Sequence, residues 1–460
     1  MKNLELLNGN NKEIRSKLLK LAIPVLIENL FQLLFSFVDM FFVGFLGNIA
    51  LSAVGLGGQI VNIFVAILAS LTTGTLVTVA HSVGAKDYKS AQEYLGNSLT
   101  LGLIVSIILF IFGAFLVEPF LFILGTKGEL TAQTSSYLKF ILIPGFLIVF
   151  IPIISSALRG AGDTKTPLYV TMVANILNIF GDYVLVFGKL GMPAMGVAGA
   201  ALATSLSRFI ALMYLFYVLY KRDHFFKFQI KYFFEYRKEK MLHILRIGIP
   251  TSLEQLFFSV GALIYATIVL RLGTKAYAAH RIALNVESLS FQPGFAFGVS
   301  ATTLVGRFRG AREDDNAFKA AIESWKMALL FMSSVGVLLF LFPQYLVKIF
   351  SREKDVINMA VTALRIIAFI QPLLATNNVM SGALRGAGMT KLPMISNSLG
   401  MWLIRIPSAY LFINVWKIGF PGAWIAMAMD ISCKAMINFY FFVIKRSWKN
   451  VFVKISTYRT

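Results

Sequence analysis

The sequence ALRGAG at residues 157–162 occurs again, unchanged, at residues 383–388. On both sides of this motif, other residues recur at the same distance along the chain as residue 157 from residue 383, without a gap. The matching pairs are Pro24 and Pro250, Glu28 and Glu254, Gly47 and Gly273, Gly84 and Gly310, Pro167 and Pro393, and Gly196 and Gly422. Chance similarity between apolar helices does not account for so many matches in one register. We therefore predict a tandem duplication, and duplicated membrane bundles usually work by moving one half against the other.

The composition is that of a membrane protein. Hydrophobic residues make up 57% of the chain and charged residues 14%, whereas soluble domains carry about 25% charged residues. The apolar runs can cross about 30 Å of hydrocarbon as helices, and they are longer and more continuous than β-barrel strands. We predict an all-α integral membrane protein with twelve transmembrane helices, at residues 17–46, 50–80, 91–117, 132–156, 166–187, 193–220, 243–270, 276–305, 318–342, 357–382, 392–415 and 420–444.

The predicted helices divide into two six-helix lobes, residues 1–220 and 241–460, joined by a charged connector at residues 221–240. Lysine and arginine concentrate in both termini, the connector and the loops of one side, which predicts a multi-pass plasma (inner) membrane protein with cytoplasmic N- and C-termini. An even number of spans orients both halves alike, so a cavity is expected between two parallel repeats. We assign the net charge of +21 to this orientation, with the lipid bilayer and not nucleic acid as the partner. No removable signal peptide is visible.

Ionisable residues inside the predicted spans of the first half are the candidate functional site, because buried charge is costly and usually functional. Glu28, Gln32 and Asp39 share one stripe of helix 1, since spacings of 4 and 11 residues return to about the same azimuth. Asn178 and Asp182 share a face of helix 5. Counting from the helix ends, both aspartates lie about 10 Å below the outer surface. They are predicted to meet in one pocket, where Arg208 is the only deep basic companion.

Two carboxylates in a low-dielectric site either share a proton or recruit a cation. Asn178 and Gln32 add neutral oxygens suitable for Na⁺ at Asp39, Asn178 and Asp182. The coupling ion is therefore H⁺ or Na⁺, and hydrogen bonding to neighbouring helices is the structural alternative. For Glu28 that alternative has additional weight, because the residue recurs as Glu254.

Pro24 lies in helix 1, four residues before Glu28. Proline removes one backbone hydrogen bond and kinks a helix. We consider two roles for it. It is either a moving hinge of helix 1 or a fixed structural kink, since it recurs as Pro250.

The second half carries a different set of buried charges. Its acidic and basic members are equal in number and can neutralise one another: Glu254, Glu287, Asp430, Arg281, Arg405 and Lys434. The counterparts of Asp39, Asn178 and Asp182 are Tyr265, Ile404 and Ser408. We therefore assign cation coupling to the first half alone, and treat the charges of the second half as a polar network or as substrate contacts.

Enzymatic activity is not expected. A single cysteine excludes an internal disulfide and a cysteine metal cage. The four histidines have no metal-ligand spacing, and no nucleophile motif is present. We expect no cofactor beyond the coupling ion.

The motifs together resemble one transporter family. PVLIEN at residues 24–29, Val38-Asp39, Gly44-x-x-Gly47, LRGAGDTKTP at residues 158–167 and Asn178-x-x-x-Asp182 are similar to the multidrug and toxic compound extrusion (MATE) transporters. The resemblance covers nearly the whole chain. It implies two lobes in a V around a central cavity, alternating access, and export of amphipathic, often cationic, organic compounds in exchange for H⁺ or Na⁺.

Within that family, Asp39, Asn178 and Asp182 resemble the branch of the DNA-damage-inducible and archaeal proteins, which couples through the N-terminal lobe. Another branch uses a helix 7 glutamate with a helix 10 aspartate. Glu254 matches the glutamate, but helix 10 offers Asn377 and Asn378 and no acid.

The resemblance implies a monomeric antiporter for small molecules. The alternative is a flippase of the same superfamily for an anionic lipid-linked precursor, with Arg281, Arg405 and Lys434 receiving the headgroup. Such flippases often carry extra helices, which this sequence lacks. A major-facilitator transporter would show an acidic-basic signature between helices 2 and 3, which is also missing.

Overall fold

The computed structural model describes residues 11–221 and 231–449. Within these ranges the chain is helical and has no strand. Twelve long helical stretches follow one another in these ranges: α1 Asn11–Gly44, α2 Asn48–Gly84, α3 Tyr88–Ile123, α4 Gly128–Leu142 with Phe146–Gly160, α5 Lys165–Phe187, α6 Gly196–Lys221, α7 Lys238–Leu270, α8 Thr274–Gly310, α9 Asp314–Leu341, α10 Lys354–Gly386, α11 Lys391–Val415 and α12 Phe420–Ile444. Short helices at Lys231–Phe234 and Pro343–Lys348 follow α6 and α9. Arg222 and Lys227 of the predicted connector lie outside the described residues.

The all-helical membrane fold predicted from the sequence is confirmed. Ten of the described helices are long and apolar enough to cross a bilayer, and the two segments of α4 together make an eleventh. The remaining long helix, α8, carries His280, Arg281 and Glu287 along its length, which lowers its hydropathy.

The two repeats agree in their helix boundaries as well as in sequence. Helices α2, α3 and α4 begin at Asn48, Tyr88 and Gly128, and α8, α9 and α10 begin at the equivalent positions of the second repeat. The repeats differ at two breaks. Helix α3 continues to Ile123, whereas α9 ends at Leu341 and a separate short helix begins at Pro343. Helix α4 bends by 47° between its two segments, where Pro144 and Gly145 replace Ile370 and Gln371 of the continuous α10. Proline cannot donate the backbone hydrogen bond that continues a helix, so the single helix predicted at 132–156 is two segments.

The repeated ALRGAG motif ends α4 and α10, and its glycines have two separate structural roles. A Cβ added to Gly160 would lie less than 3.0 Å from the carbonyl oxygen of Leu76 in α2, and one added to Gly386 would equally meet Thr302 in α8. Glycine thus allows the helices to pack backbone to backbone. Gly162 and its counterpart Gly388 have φ of +91° and +84°, a conformation that glycine adopts without strain.

The described chain divides into two compact units whose limits differ from those of the repeats. One unit contains the residues up to Leu26 together with those from Pro250 onward, and the other runs from Ile27 to Ile249. Each unit has its own large hydrophobic core. The first arm of α1 is therefore part of the unit formed by the second repeat, and the first arm of α7 is part of the unit formed by the first repeat.

Both arms are anchored within the unit that holds them. Ile14 and Leu18 of the α1 arm are buried in the core that contains α8, α9 and α10, and Arg15 pairs with Glu323 of α9. The arm of α7 buries Ile244 in the other core. It also pairs Lys240 with Glu93 of α3. Pro24 and Pro250 lie next to the points where the chain passes from one unit to the other.

Candidate functional site

The structure brings Asp39 of α1 and Asp182 of α5 together within the unit Ile27–Ile249. Their carboxyl groups are close enough to interact directly. Asp182 is fully buried, and Asp39 is partly exposed. Two ionised carboxylates repel each other at short range, and a shared proton or a cation between them would remove that repulsion.

Asn178 extends this pair toward α6. Its Nδ2 donates to Asp182 Oδ1 and to Thr204 Oγ1, both at 3.4 Å. Small residues explain how these polar groups become buried, because a Cβ on Gly181 would lie only 2.9 Å from the Cβ of Ala203. The close packing of α5 on α6 at this point encloses Asn178 and Asp182.

Three oxygens of this cluster have no hydrogen-bond donor among the described residues. They are Asp39 Oδ1, Asn178 Oδ1 and Asp182 Oδ2, and all three are buried. Orphaned buried oxygens are costly unless a proton, an ion or water satisfies them. A set made only of oxygens suits a hard cation or a proton. No group of three His, Cys, Asp or Glu side chains suited to a metal occurs in the described ranges, this cluster included.

Two further side chains face the carboxylate pair. Arg208 of α6 interacts electrostatically with Asp39 and with Tyr137, in line with its predicted place as the deep basic companion. Tyr137 of α4 interacts with both aspartates. Nothing in the sequence pointed to Tyr137, because it belongs to an ordinary amphipathic segment.

Glu28 and Gln32 are separated from this cluster. They precede Asp39 by 11 and 7 residues on α1, which places them about 16 Å and 10 Å away along the helix axis. Glu28 is buried and its Oε1 accepts hydrogen bonds from Arg159 Nη2 at 2.6 Å and from Thr171 Oγ1 at 3.1 Å. The Gln32 side chain is exposed. The coupling roles of both residues stay predictions.

The second repeat reproduces the Glu28 arrangement in its own unit. Glu254 Oε1 accepts from Arg385 Nη2 at 2.7 Å and from Asn397 Nδ2 at 2.6 Å. Both partners occupy the positions that the duplication makes equivalent to Arg159 and Thr171. The geometry therefore favours the structural alternative for Glu28. These pairs were not predicted from the sequence, although a glutamate and an arginine recur together in both repeats, which was the available signal.

The charges of the second half neutralise one another in part, as predicted: Asp430 and Lys434, four residues apart on one helix, form an ion pair. Asp430 Oδ2 accepts from Arg405 Nε and Lys434 Nζ, both at 2.8 Å. Arg405 ends a π-helical turn, Gly400–Arg405. Glu287 is buried without an ion pair among the described residues, and Arg281 is exposed. Two bases thus converge on one acid, because α11 and α12 bring Arg405 and Lys434 to the same carboxylate.

The family model MatE matches the chain twice, at residues 24–184 and 250–411. The chain belongs to the MatE family. The two matches begin at the paired prolines, Pro24 and Pro250, as the duplication requires, and together they cover more than half of the chain. This MatE protein is thus a multi-pass membrane transporter and not an enzyme.

Individual relatives agree with this assignment. The MatE protein is 39% identical over 432 residues to a probable multidrug resistance protein NorM of Thermotoga maritima, covering 94% of this chain and 92% of the relative. A MOP superfamily transporter from Pyrococcus furiosus, described as having a binding pocket of reverse polarity, has a TM-score of 0.89 at 26% identity, with 97% and 98% coverage. A multidrug resistance MATE transporter in an outward-facing conformation has a TM-score of 0.89 at 25% identity, with 98% and 99% coverage.

Proposed function

We propose that this protein exports amphipathic, often cationic, organic compounds in exchange for H⁺ or Na⁺. The observation that carries the proposal is the cluster of Asp39, Asn178 and Asp182, with three buried oxygens that lack donors among the described residues. The similarity to proteins named for multidrug resistance supports the substrate class. The protein acts as a monomer in the plasma membrane with both termini in the cytoplasm.

Coupling follows from the chemistry of the cluster. Without an ion, the two carboxylates repel each other. A shared proton or a sodium ion removes the repulsion and draws α1 and α5 together. An ion drives transport only through different affinities for the two access states. Alternating access then exposes the substrate site to one side of the membrane at a time, and Pro24 in α1 is the position at which that helix bends.

Coupling is confined to the first repeat because the second lacks the ligands. Tyr265 occupies the position of Asp39, and its hydroxyl donates to the carbonyl oxygen of Ala423 at 2.7 Å. Ile404 and Ser408 replace Asn178 and Asp182. The second repeat therefore cannot assemble an equivalent pair of carboxylates.

Drug transport in proteoliposomes tests this function when the proton and sodium gradients are imposed separately. We expect one gradient to drive accumulation of a cationic dye, and Asp39→Asn to abolish it while the protein stays folded. Ser408→Ala is the matched control, because it alters the counterpart of Asp182 and should leave transport unchanged. Transport by Asp39→Asn at the normal rate would refute the proposal.

A flippase for an anionic lipid-linked precursor is the second candidate. It is favoured by the two bases, Arg405 and Lys434, that converge on the single carboxylate of Asp430. Counterflow with an anionic lipid separates the two candidates. Lipid counterflow without dye transport would favour the flippase, and dye transport without lipid counterflow the antiporter.

A further inference from the structure

A cavity of about 360 Å³ lies within the unit Ile27–Ile249, at the end of the first repeat where α1 ends and α2, α4 and α6 begin. Its lining includes Ala50 of α2, Ala132, Gln133 and Ser136 of α4, and Val197 of α6. None of its described lining residues is a lysine or an arginine. A volume of this size has room for several water molecules. By the predicted orientation, this end of the repeat faces the outside.

The wall of the cavity offers an oxygen acceptor. Gln133 Nε2 donates to the exposed Glu129 carboxylate at 2.8 Å. Its Oε1 is buried and has no donor among the described residues. A wall with a free acceptor oxygen, a serine hydroxyl and no basic side chain favours water and cations over anions.

Tyr137 is close both to this cavity and to the carboxylate pair. Its ring packs on the small hydrophobic cluster that contains the cavity residues Ala50 and Val197. The same side chain interacts electrostatically with Asp39 and Asp182. Its ring packs against the backbone of Gly57, where an added Cβ would lie 2.5 Å from Tyr137 Cδ1. One aromatic side chain thus packs on the cavity wall and lies within electrostatic range of the two aspartates.

We propose that this cavity is the entrance by which the coupling cation reaches Asp39 and Asp182, with Tyr137 as the side chain that separates cavity from site. The inference rests on the proposed function and adds a route to it. A hydrated monovalent cation, or a proton carried on ordered water, passes Gln133 and Ser136 and enters when the Tyr137 ring turns aside. The route lies inside one compact unit.

A cysteine placed in the cavity tests the route. In a Cys433→Ser background, we would introduce Ser136→Cys and apply a membrane-impermeant, positively charged thiol reagent to the outside of intact cells. Gradient-driven efflux should fall by about tenfold or more, because a fixed positive charge repels the next cation in a low-dielectric passage. Gln344→Cys, an exposed residue of the other unit, is the control that should react without affecting efflux.

A second variant separates access from binding. Ala132→Trp should narrow the cavity, slowing ion entry while the amount of ion bound at equilibrium stays unchanged. The route is refuted if Ser136→Cys does not react, if its reaction leaves efflux unchanged, or if Ala132→Trp abolishes ion binding. Asp39→Asn distinguishes the two proposals. If that variant still binds the ion, the proposed function itself is refuted. If it loses ion binding while labelling of Ser136→Cys leaves efflux unchanged, only the entrance is refuted.

Discussion

Glu28 and Arg159 form a partly buried ion pair that joins α1 to the end of α4, with Glu28 Oε1 2.6 Å from Arg159 Nη2. The equivalent pair, Glu254 and Arg385, joins α7 to the end of α10 at 2.7 Å. Each arginine comes from a copy of ALRGAG. The motif therefore combines a turn, a close helix contact and an ion pair, which explains why it recurs intact while Asp39 and Asp182 do not.

Removing either glutamate should destabilise the protein to a similar extent. Glu28→Ala leaves Arg159 without its carboxylate. Loss of one partner of a fully buried pair costs about 3 kcal/mol, and the cost here should be smaller because Arg159 is partly exposed. The expected result is a lower unfolding temperature in detergent for Glu28→Ala and Glu254→Ala, with the surviving folded protein still binding the coupling ion. Glu129→Ala, an exposed carboxylate, is the control. Normal stability together with lost ion binding in Glu28→Ala would instead assign Glu28 to the coupling site.

The glycines of the motif should tolerate no added methyl group. Gly160→Ala and Gly386→Ala each push a Cβ against a backbone carbonyl oxygen, and overpacking of this kind costs about 1–3 kcal/mol. Gly55→Ala, in α2, is the control because its Cβ would meet nothing within 4 Å. Fluorescence-detected size-exclusion profiles should show less folded protein for the first two variants only. Equal yields of all three would contradict the close packing.

The exchanged arm of α1 should stabilise the unit that contains the second repeat. Leu18 is completely buried, whereas the next residue, Leu19, is 39% exposed. Leu18→Ala should cost about 2–5 kcal/mol, as buried leucine truncations do, and Leu19→Ala much less. Limited proteolysis during thermal unfolding, scored by cleavage within residues 250–449, would measure this difference. Equal protease resistance in the two variants would show that the arm is not part of this unit.

Much of the fold was accessible from the sequence because the duplication and the apolar runs are both long-range patterns. The meeting of Asp39 with Asp182 was predictable as well, since helix rise and azimuth fix the depth and direction of each side chain. The exchange of the α1 and α7 arms was not predictable, because a repeat reveals common ancestry and not which core a helix end packs into. The ion pair of Arg159 was hidden for a related reason: a basic residue at a helix end also serves membrane orientation.

The break in α4 and the position of Tyr137 were not predictable from the sequence for a different reason. Pro144-Gly145 is a visible helix breaker, yet the bend of 47° depends on the packing around it. The Tyr137 ring occupies its position because Gly57 leaves space for it. Such pairings between helices depend on side-chain packing, on which a single sequence carries no periodic signal.

Asp39 and Asp182 should form a single ion site. Calorimetry can count the protons or sodium ions bound by the purified protein in Asp39→Asn, Asp182→Asn and the double variant. One shared site predicts that each single variant loses the same ion and that the double variant loses no more. Two ions lost in the double variant, or full binding in either single variant, would contradict the account.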